Sequence, residues 1–332
     1  MLIPAVLLLL GIFLLIKGAN WLVDGASGLA KRLGISDLII GLTVVAFGTS
    51  MPELVVNIMS SAQGANDLAI GNVVGSNIAN ILLILGIAAI ITPIAVKTST
   101  VWNEIPLAFL AAMVLMLMAN DRIVDHYPIS ELSRSDGLSF LAFFLIFLWY
   151  IVTLAKRGEI EVVDVSLAKR STIAETGLLL AGIALLILGG TMTVNGAVSI
   201  ARIVGLSESF IGLTIVAVGT SLPELATSIT AALRKKADIA VGNVVGSNIF
   251  NIFWILGVSA IISPLRFEAA LNVDLAVTVI ATALLFYAVH TGYFHHRLLF
   301  WRQRKNHIVQ RADGFLMLTL YAAYIAYVAW RG

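Results

Sequence analysis

The sequence predicts an all-α integral membrane protein of ten transmembrane helices, arranged as two inverted five-helix repeats with broken core helices at the membrane midplane. Composition, the placement of Lys and Arg, and an internal duplication carry this reading. Of 332 residues, 59% are hydrophobic and 12% charged, and mean hydropathy is +0.98. Ordinary chains carry about 25% charged residues, so lipid is the solvent expected here. A formal net charge of +2 offers no basic surface for nucleic acid. Cysteine is absent, which excludes disulfides, thiolate chemistry and cysteine metal sites.

A membrane-spanning helix needs about 20 mostly apolar residues. Ten stretches qualify, near 3–30, 37–62, 68–92, 99–119, 137–155, 174–201, 208–232, 238–262, 271–291 and 312–330. The first lacks the basic leader and small-residue cleavage site of a signal peptide, and reads as a retained span. The longest connections, 156–173 and 292–311, are too short for a soluble domain. Basic loops are retained in the cytoplasm. With the N-terminus outside, fifteen Lys and Arg fall in inner loops and five in outer segments. Both termini are therefore expected on the extracellular side of the cell membrane.

The duplication divides the chain. Shifted by 171 residues, Gly71–Ile78 (GNVVGSNI) lies on an identical Gly242–Ile249. The same shift lays Gly48-Thr49-Ser50-Met51-Pro52-Glu53-Leu54 on Gly219-Thr220-Ser221-Leu222-Pro223-Glu224-Leu225, with no gap over about 75 residues. The expected units are a first repeat at 1–155, a cytoplasmic loop at 156–173 and a second repeat at 174–332. Five spans per repeat is an odd number, so the second copy enters the membrane from the opposite face. Inverted repeats of this kind are typical of secondary transporters, whose sites lie near the midplane between the repeats.

Glu53 and Glu224 stand about sixteen residues into their spans, roughly 24 Å along a helix and somewhat past the centre of a ~30 Å hydrocarbon core. A lone carboxylate there costs several kcal/mol, so intramembrane acids normally line a pathway or bind a partner. Neither motif contains Lys or Arg; a cation must supply the missing charge. Pro52 and Pro223 precede the acids and are expected to kink or unwind each helix, with Gly48 and Gly219 adding freedom. Carbonyls around Ala46, Phe47, Ala217 and Val218 would then be freed as ligands, as is tolerated at this depth where backbone lines a cavity.

The second motif adds oxygen. Ser76 and Asn80, and likewise Ser247 and Asn251, share a helical face four residues apart, continued by Asn72 and Asn243 and flanked by Asn77 and Asn248. With Thr49, Ser50, Thr220 and Ser221, the donors are carboxylates, hydroxyls, amides and carbonyls, without imidazole or thiolate. Such a set suits hard cations, Ca²⁺ taking about 6–8 oxygens, and disfavours zinc, copper or iron. Any one of these polar residues is ordinary in helix packing; the duplicated set with two acids is not. Asp24, whose repeat mate is Asn195, reads as a packing or access-path residue, Lys17 as snorkelling or locally paired, and the five histidines as solvated in or beside loops. The basic stretch at 297–311 reads as a cytoplasmic loop.

At these motifs the chain resembles the sodium/calcium exchangers of the cation/calcium antiporter superfamily, whose two alpha-repeats carry G-T-S-x-P-E and G-N-x-x-G-S-N-I-x-N. The short 156–173 loop is similar to that of prokaryotic members. The resemblance implies a diamond of cation sites. Glu53 and Glu224 would hold Ca²⁺ and share Na⁺, with Thr49 and Thr220 beside them. Ala46 and Ala217 would contribute carbonyls, Ser76 and Ser247 would bind sodium, and Asn80 would match the asparagine of the third span. Asn251 departs from members that carry aspartate there, which argues against potassium co-transport. The expected function is electrogenic antiport of Ca²⁺ against Na⁺ by alternating access, the first and sixth spans sliding past the core. A Ca²⁺/H⁺ antiporter on the same fold is the alternative, because burial disfavours the charged form of a carboxyl. A cation channel fits an inverted repeat poorly. No nucleophile–base pair, phosphate loop or histidine metal site suggests an enzyme, and no cofactor or protein partner is implied beyond the ions and the bilayer.

Overall fold

The computed structural model describes residues 2–157, 170–205, 217–291 and 307–331. Eight described helices are long and apolar enough to cross a membrane: α1 (Leu2–Leu33), α4 (Asn66–Ile91), α5 (Thr100–Met118), α6 (Arg134–Lys156), α7 (Thr172–Ile203), α9 (Ala237–Ile262), α10 (Ala269–His290) and α11 (Arg311–Arg331). A ninth span is the bent pair α2 (Asp37–Thr49) and α3 (Met51–Ala62), which meet at 47°. The tenth expected span, near 208–232, is described only from Ala217, as a short helix Ala217–Gly219 followed by α8 (Leu222–Leu233). The sequence-expected loops fall mainly at 158–169 and 292–306, outside the described residues.

The chain is mostly helical, with one addition to the all-α expectation. Two short antiparallel ladders form just beyond the spans. β1 (Ile94–Val96) pairs with β4 (His307–Val309), and β2 (Glu131–Leu132) with β3 (Leu265–Arg266). Each joins residues from the two halves of the chain.

Glycine decides how the halves pack. Gly11, Gly18 and Gly25 recur every seventh residue on α1, as do Gly182, Gly189 and Gly196 on α7, so each set lines one face. A Cβ at Gly11 would stand 2.8 Å from Gly189 O, and one at Gly18 2.9 Å from Gly182 O. From the other side, Gly189 and Gly182 meet the Gly11 and Gly18 carbonyls at 2.8 and 2.9 Å. The two backbones therefore touch, which small residues permit in membranes, and the helices run antiparallel. Two further glycine contacts exchange helices between the halves. A Cβ at Gly314 of α11 would lie 2.6 Å from Gly86 O of α4, and one at Gly137 of α6 would lie 2.7 Å from Gly257 O of α9.

Three ion pairs join the ends of helices from the two halves. Arg234, following α8, pairs with Asp24 of α1 and also bonds Asn20. Lys236 meets Asp37 at 2.8 Å, and Lys97 meets Asp238 at 2.8 Å. Asp24 is thus a paired packing residue. Lys17 places its ammonium 5.9 Å from the Phe13 ring centroid. One histidine expectation is corrected: His290 lies within α10, with its ring 5.2 Å from Trp102 and 5.7 Å from Phe286, because an aromatic imidazole packs as readily as it hydrates. His295 and His296 lie outside the described residues.

Candidate cation-binding site

The site begins with two helix breaks. Ser50, with φ −82° and ψ 8°, separates α2 from α3, and Ser221, with φ −86° and ψ 8°, precedes α8. Pro52 and Pro223 occupy the first turns of the helices that follow, where a missing N–H leaves no bond unmade. At Pro52 the expected interruption is a break that bends the span by 47°, with the helix restarting at Met51. Two backbone bonds cross the first break, Ser50 N to Ala46 O at 3.0 Å and Leu54 N to Ser50 O at 3.1 Å. The Ala46 carbonyl is therefore still engaged, a correction to the expectation that the proline frees it. The break lies later, leaving the carbonyls of Phe47, Gly48 and Thr49 without such a bond. Ala217 opens its short helix.

The breaks put Glu53 and Glu224 in the first turns of α3 and α8, where the positive end of a helix dipole favours a carboxylate. The repeats then reach across to each other. Ser50 donates to Glu224 Oε1 at 2.9 Å and lies 3.0 Å from Ser247 Oγ. In the mirrored contact Ser221 donates to Glu53 Oε1 at 3.3 Å and lies 3.2 Å from Ser76 Oγ, itself 3.4 Å from Glu53 Oε1. Thr49 Oγ1 is 2.9 Å from Asn243 Oδ1, and Thr220 Oγ1 is 3.4 Å from Asn72 Oδ1. Asn72 and Asn243 in turn donate to the backbone carbonyls of Glu53 and Glu224, each at 3.4 Å. These two asparagines, read from sequence only as extending a face, brace the breaks, and both threonines serve that brace.

One turn deeper, the amides interlock. Asn80 donates to Asn248 Oδ1 and Asn251 to Asn77 Oδ1, each at 2.9 Å. Asn80 and Asn251 open π-helical stretches, Ala79–Leu85 and Phe250–Leu256, a wider turn that recurs at functional sites and leaves no mark in sequence.

After every hydrogen bond is assigned, four acceptors in this cluster lack a partner: Glu53 Oε2, Glu224 Oε2, Asn80 Oδ1 and Asn251 Oδ1. Their residues are 0–1% exposed. Buried oxygens left unpaired are costly, and a set made only of acceptors matches a hard cation. Ala46, Ser50, Ser76, Ser221, Ser247 and Thr49 are buried around it. Several buried carboxyls are not marked by the sequence, among them Glu104 of α5, which is fully buried and accepts a hydrogen bond from Tyr150. Its repeat position holds Leu275, so no duplication marks it.

The family model described as sodium/calcium exchanger protein matches residues 3–153 and 174–330. The chain is 39% identical to "Putative antiporter CaxA" of Alkalimonas amylolytica over 98% of both chains. It is 31% identical to "Sodium/calcium exchanger MaX1" of Methanosarcina acetivorans over 96% of both. Among solved structures, the sodium-calcium exchanger NCX_Mj soaked with 10 mM Na⁺ and zero Ca²⁺ superposes with a TM-score of 0.81, at 33% identity and 98% coverage of each chain.

Proposed function

The chain belongs to the sodium/calcium exchanger family, and on that premise we propose that it exchanges Ca²⁺ for Na⁺ across the cell membrane by alternating access. As a member it is a multi-pass cation/calcium antiporter, a transporter and not an enzyme. The coupling ion, the ligands and the topology are the proposal. Ca²⁺ is held by Glu53 and Glu224 together with the oxygens of Asn80 and Asn251, and Na⁺ competes for the same carboxylates. Ser50, Ser221, Ser76, Ser247, Thr49, Thr220 and the Ala217 carbonyl complete the surrounding set. The single observation carrying this assignment is that Glu53, Glu224, Asn80 and Asn251 each keep one buried acceptor oxygen without a hydrogen-bond partner.

Competition makes an exchanger. Two carboxylates balance Ca²⁺, whereas several Na⁺ leave a positive remainder, so each cycle moves charge. The two repeats, 1–155 and 174–332, are inverted about a twofold relation. Its support is the reciprocity of the contacts: Ser50 to Glu224 answers Ser221 to Glu53, and Gly11 against Gly189 answers Gly182 against Gly18. Ten spans place both termini outside, with the 156–173 loop in the cytoplasm. Ion access alternates as α1 and α7, seamed by glycine, slide past the core.

Uptake of radioactive Ca²⁺ into proteoliposomes loaded with Na⁺ and diluted into Na⁺-free buffer tests the coupling. Uptake is expected to require internal Na⁺ and to generate a membrane potential. Uptake driven by a pH gradient without Na⁺ would hand the coupling to protons and sink the sodium assignment.

A further inference from the structure

We infer that Asn77 and Asn248 are positioning residues that fix which end of the Asn251 and Asn80 amides faces the transported cation. The inference rests on the reading that the oxygens of Asn80 and Asn251 bind that cation.

A primary amide is two-faced: its oxygen accepts, its nitrogen donates two hydrogens. An asparagine that binds a cation must therefore be held in one of its two orientations, since the flipped amide turns N–H groups toward the charge. Here the orientation follows from groups that have no choice. A backbone carbonyl only accepts. Asn77 Nδ2 lies 3.3 Å from Asn248 O, and Asn248 Nδ2 lies 3.4 Å from Asn77 O. Both nitrogens are thereby assigned, and both Oδ1 atoms point the other way. Each then accepts from a neighbouring amide at 2.9 Å, Asn77 from Asn251 and Asn248 from Asn80. The nitrogens of Asn80 and Asn251 are consequently occupied, and their oxygens are the atoms left buried and unpartnered. The lock is crossed, because each motif copy orients the amide of the other. All four residues are buried, so water does not substitute for a lost partner.

The test is a double-mutant cycle on Ca²⁺ affinity, measured by equilibrium binding to the purified full chain and by the KM and maximal rate of proteoliposome uptake. Asn77→Leu keeps the volume and removes the acceptor that holds Asn251. It is expected to weaken Ca²⁺ binding about tenfold, as for the loss of a hydrogen-bond partner at a buried polar group. Asn251→Asp supplies a carboxylate, which has no nitrogen end and needs no orienting. In that background Asn77→Leu is expected to change affinity less than about twofold, a non-additivity that residues in contact can show. Equal losses in the two backgrounds, or no loss in either, would overturn the positioning role. Asn251→Leu separates the two layers of the argument: unchanged Ca²⁺ affinity there defeats the cation-site reading itself. Where Asn77→Leu does not fold, the mirrored cycle of Asn248→Leu against Asn80→Asp decides by the same criterion.

Discussion

Hydrogen bonding satisfies only one oxygen of Glu53 and only one of Glu224. In the proposed site, neutralising either one removes half the charge that would balance Ca²⁺. Breaking a buried ion pair costs about 3–5 kcal/mol, so Glu53→Gln or Glu224→Gln is expected to weaken Ca²⁺ affinity roughly hundredfold or more; exchange that persists unchanged in vesicles would remove these residues from the site. Ser50→Ala takes one donor from Glu224 while leaving the carboxylate. A hydrogen bond to a charged group contributes about 1.5–3 kcal/mol, and titration of Ca²⁺ uptake should show roughly a tenfold loss, smaller than that of Glu224→Gln. The acids and serines were legible in sequence because each appears twice in an apolar setting. The amide orientations were not. They depend on contacts between Asn77 and Asn248, positions 171 residues apart, and a repeat motif does not tell which of its polar atoms meet.

At the scale of helices, the glycine seam makes a sharp prediction. Gly18→Ala inserts a Cβ 2.8 Å from Leu186 N and 2.9 Å from Gly182 O, both backbone atoms. Such overpacking costs about 1–3 kcal/mol. Gly177→Ala, on α7 with nothing within 4 Å of the added Cβ, is the control, and helix propensity alone favours it. Thermal unfolding in detergent should show Gly18→Ala below wild type and Gly177→Ala at or above it. Span existence was readable because twenty apolar residues need little else, and α4 and α9 begin and end close to where hydropathy put them. The breaks were readable only in part. Pro52 signals an interruption, yet whether it kinks a helix or starts one depends on the turn at Ser50, which carries no distinctive residue type. The strand ladders are too short for a period-two pattern, and partners as distant as Ile94 and Val309 are set by the packing of whole helices.

For the whole molecule, topology is the testable quantity, and the absence of cysteine makes the chain ready for it. Single cysteines at His126 and Arg170, both exposed, should behave oppositely in intact cells: an impermeant maleimide labels H126C from outside and reaches R170C only after permeabilisation. The reverse pattern would invert the proposed orientation, and labelling of both from outside would break the span count. Charge bias supplies an expectation for orientation, whereas the interleaving of halves through Gly86–Gly314 and Gly137–Gly257 was hidden in the sequence, since each glycine alone is unremarkable. The antiparallel course of α1 and α7 has an electrical consequence. Each helix carries a macrodipole of about half a charge at either end, and side by side in opposite sense the two cancel. Displacing the pair along the membrane normal therefore drags almost no backbone charge through the transmembrane field, where each elementary charge is worth about 2.3 kcal/mol per 100 mV. The backbone of the pair then adds little to the voltage sensitivity of turnover, and the reversal potential of the exchange current reads the ratio of the ions carried.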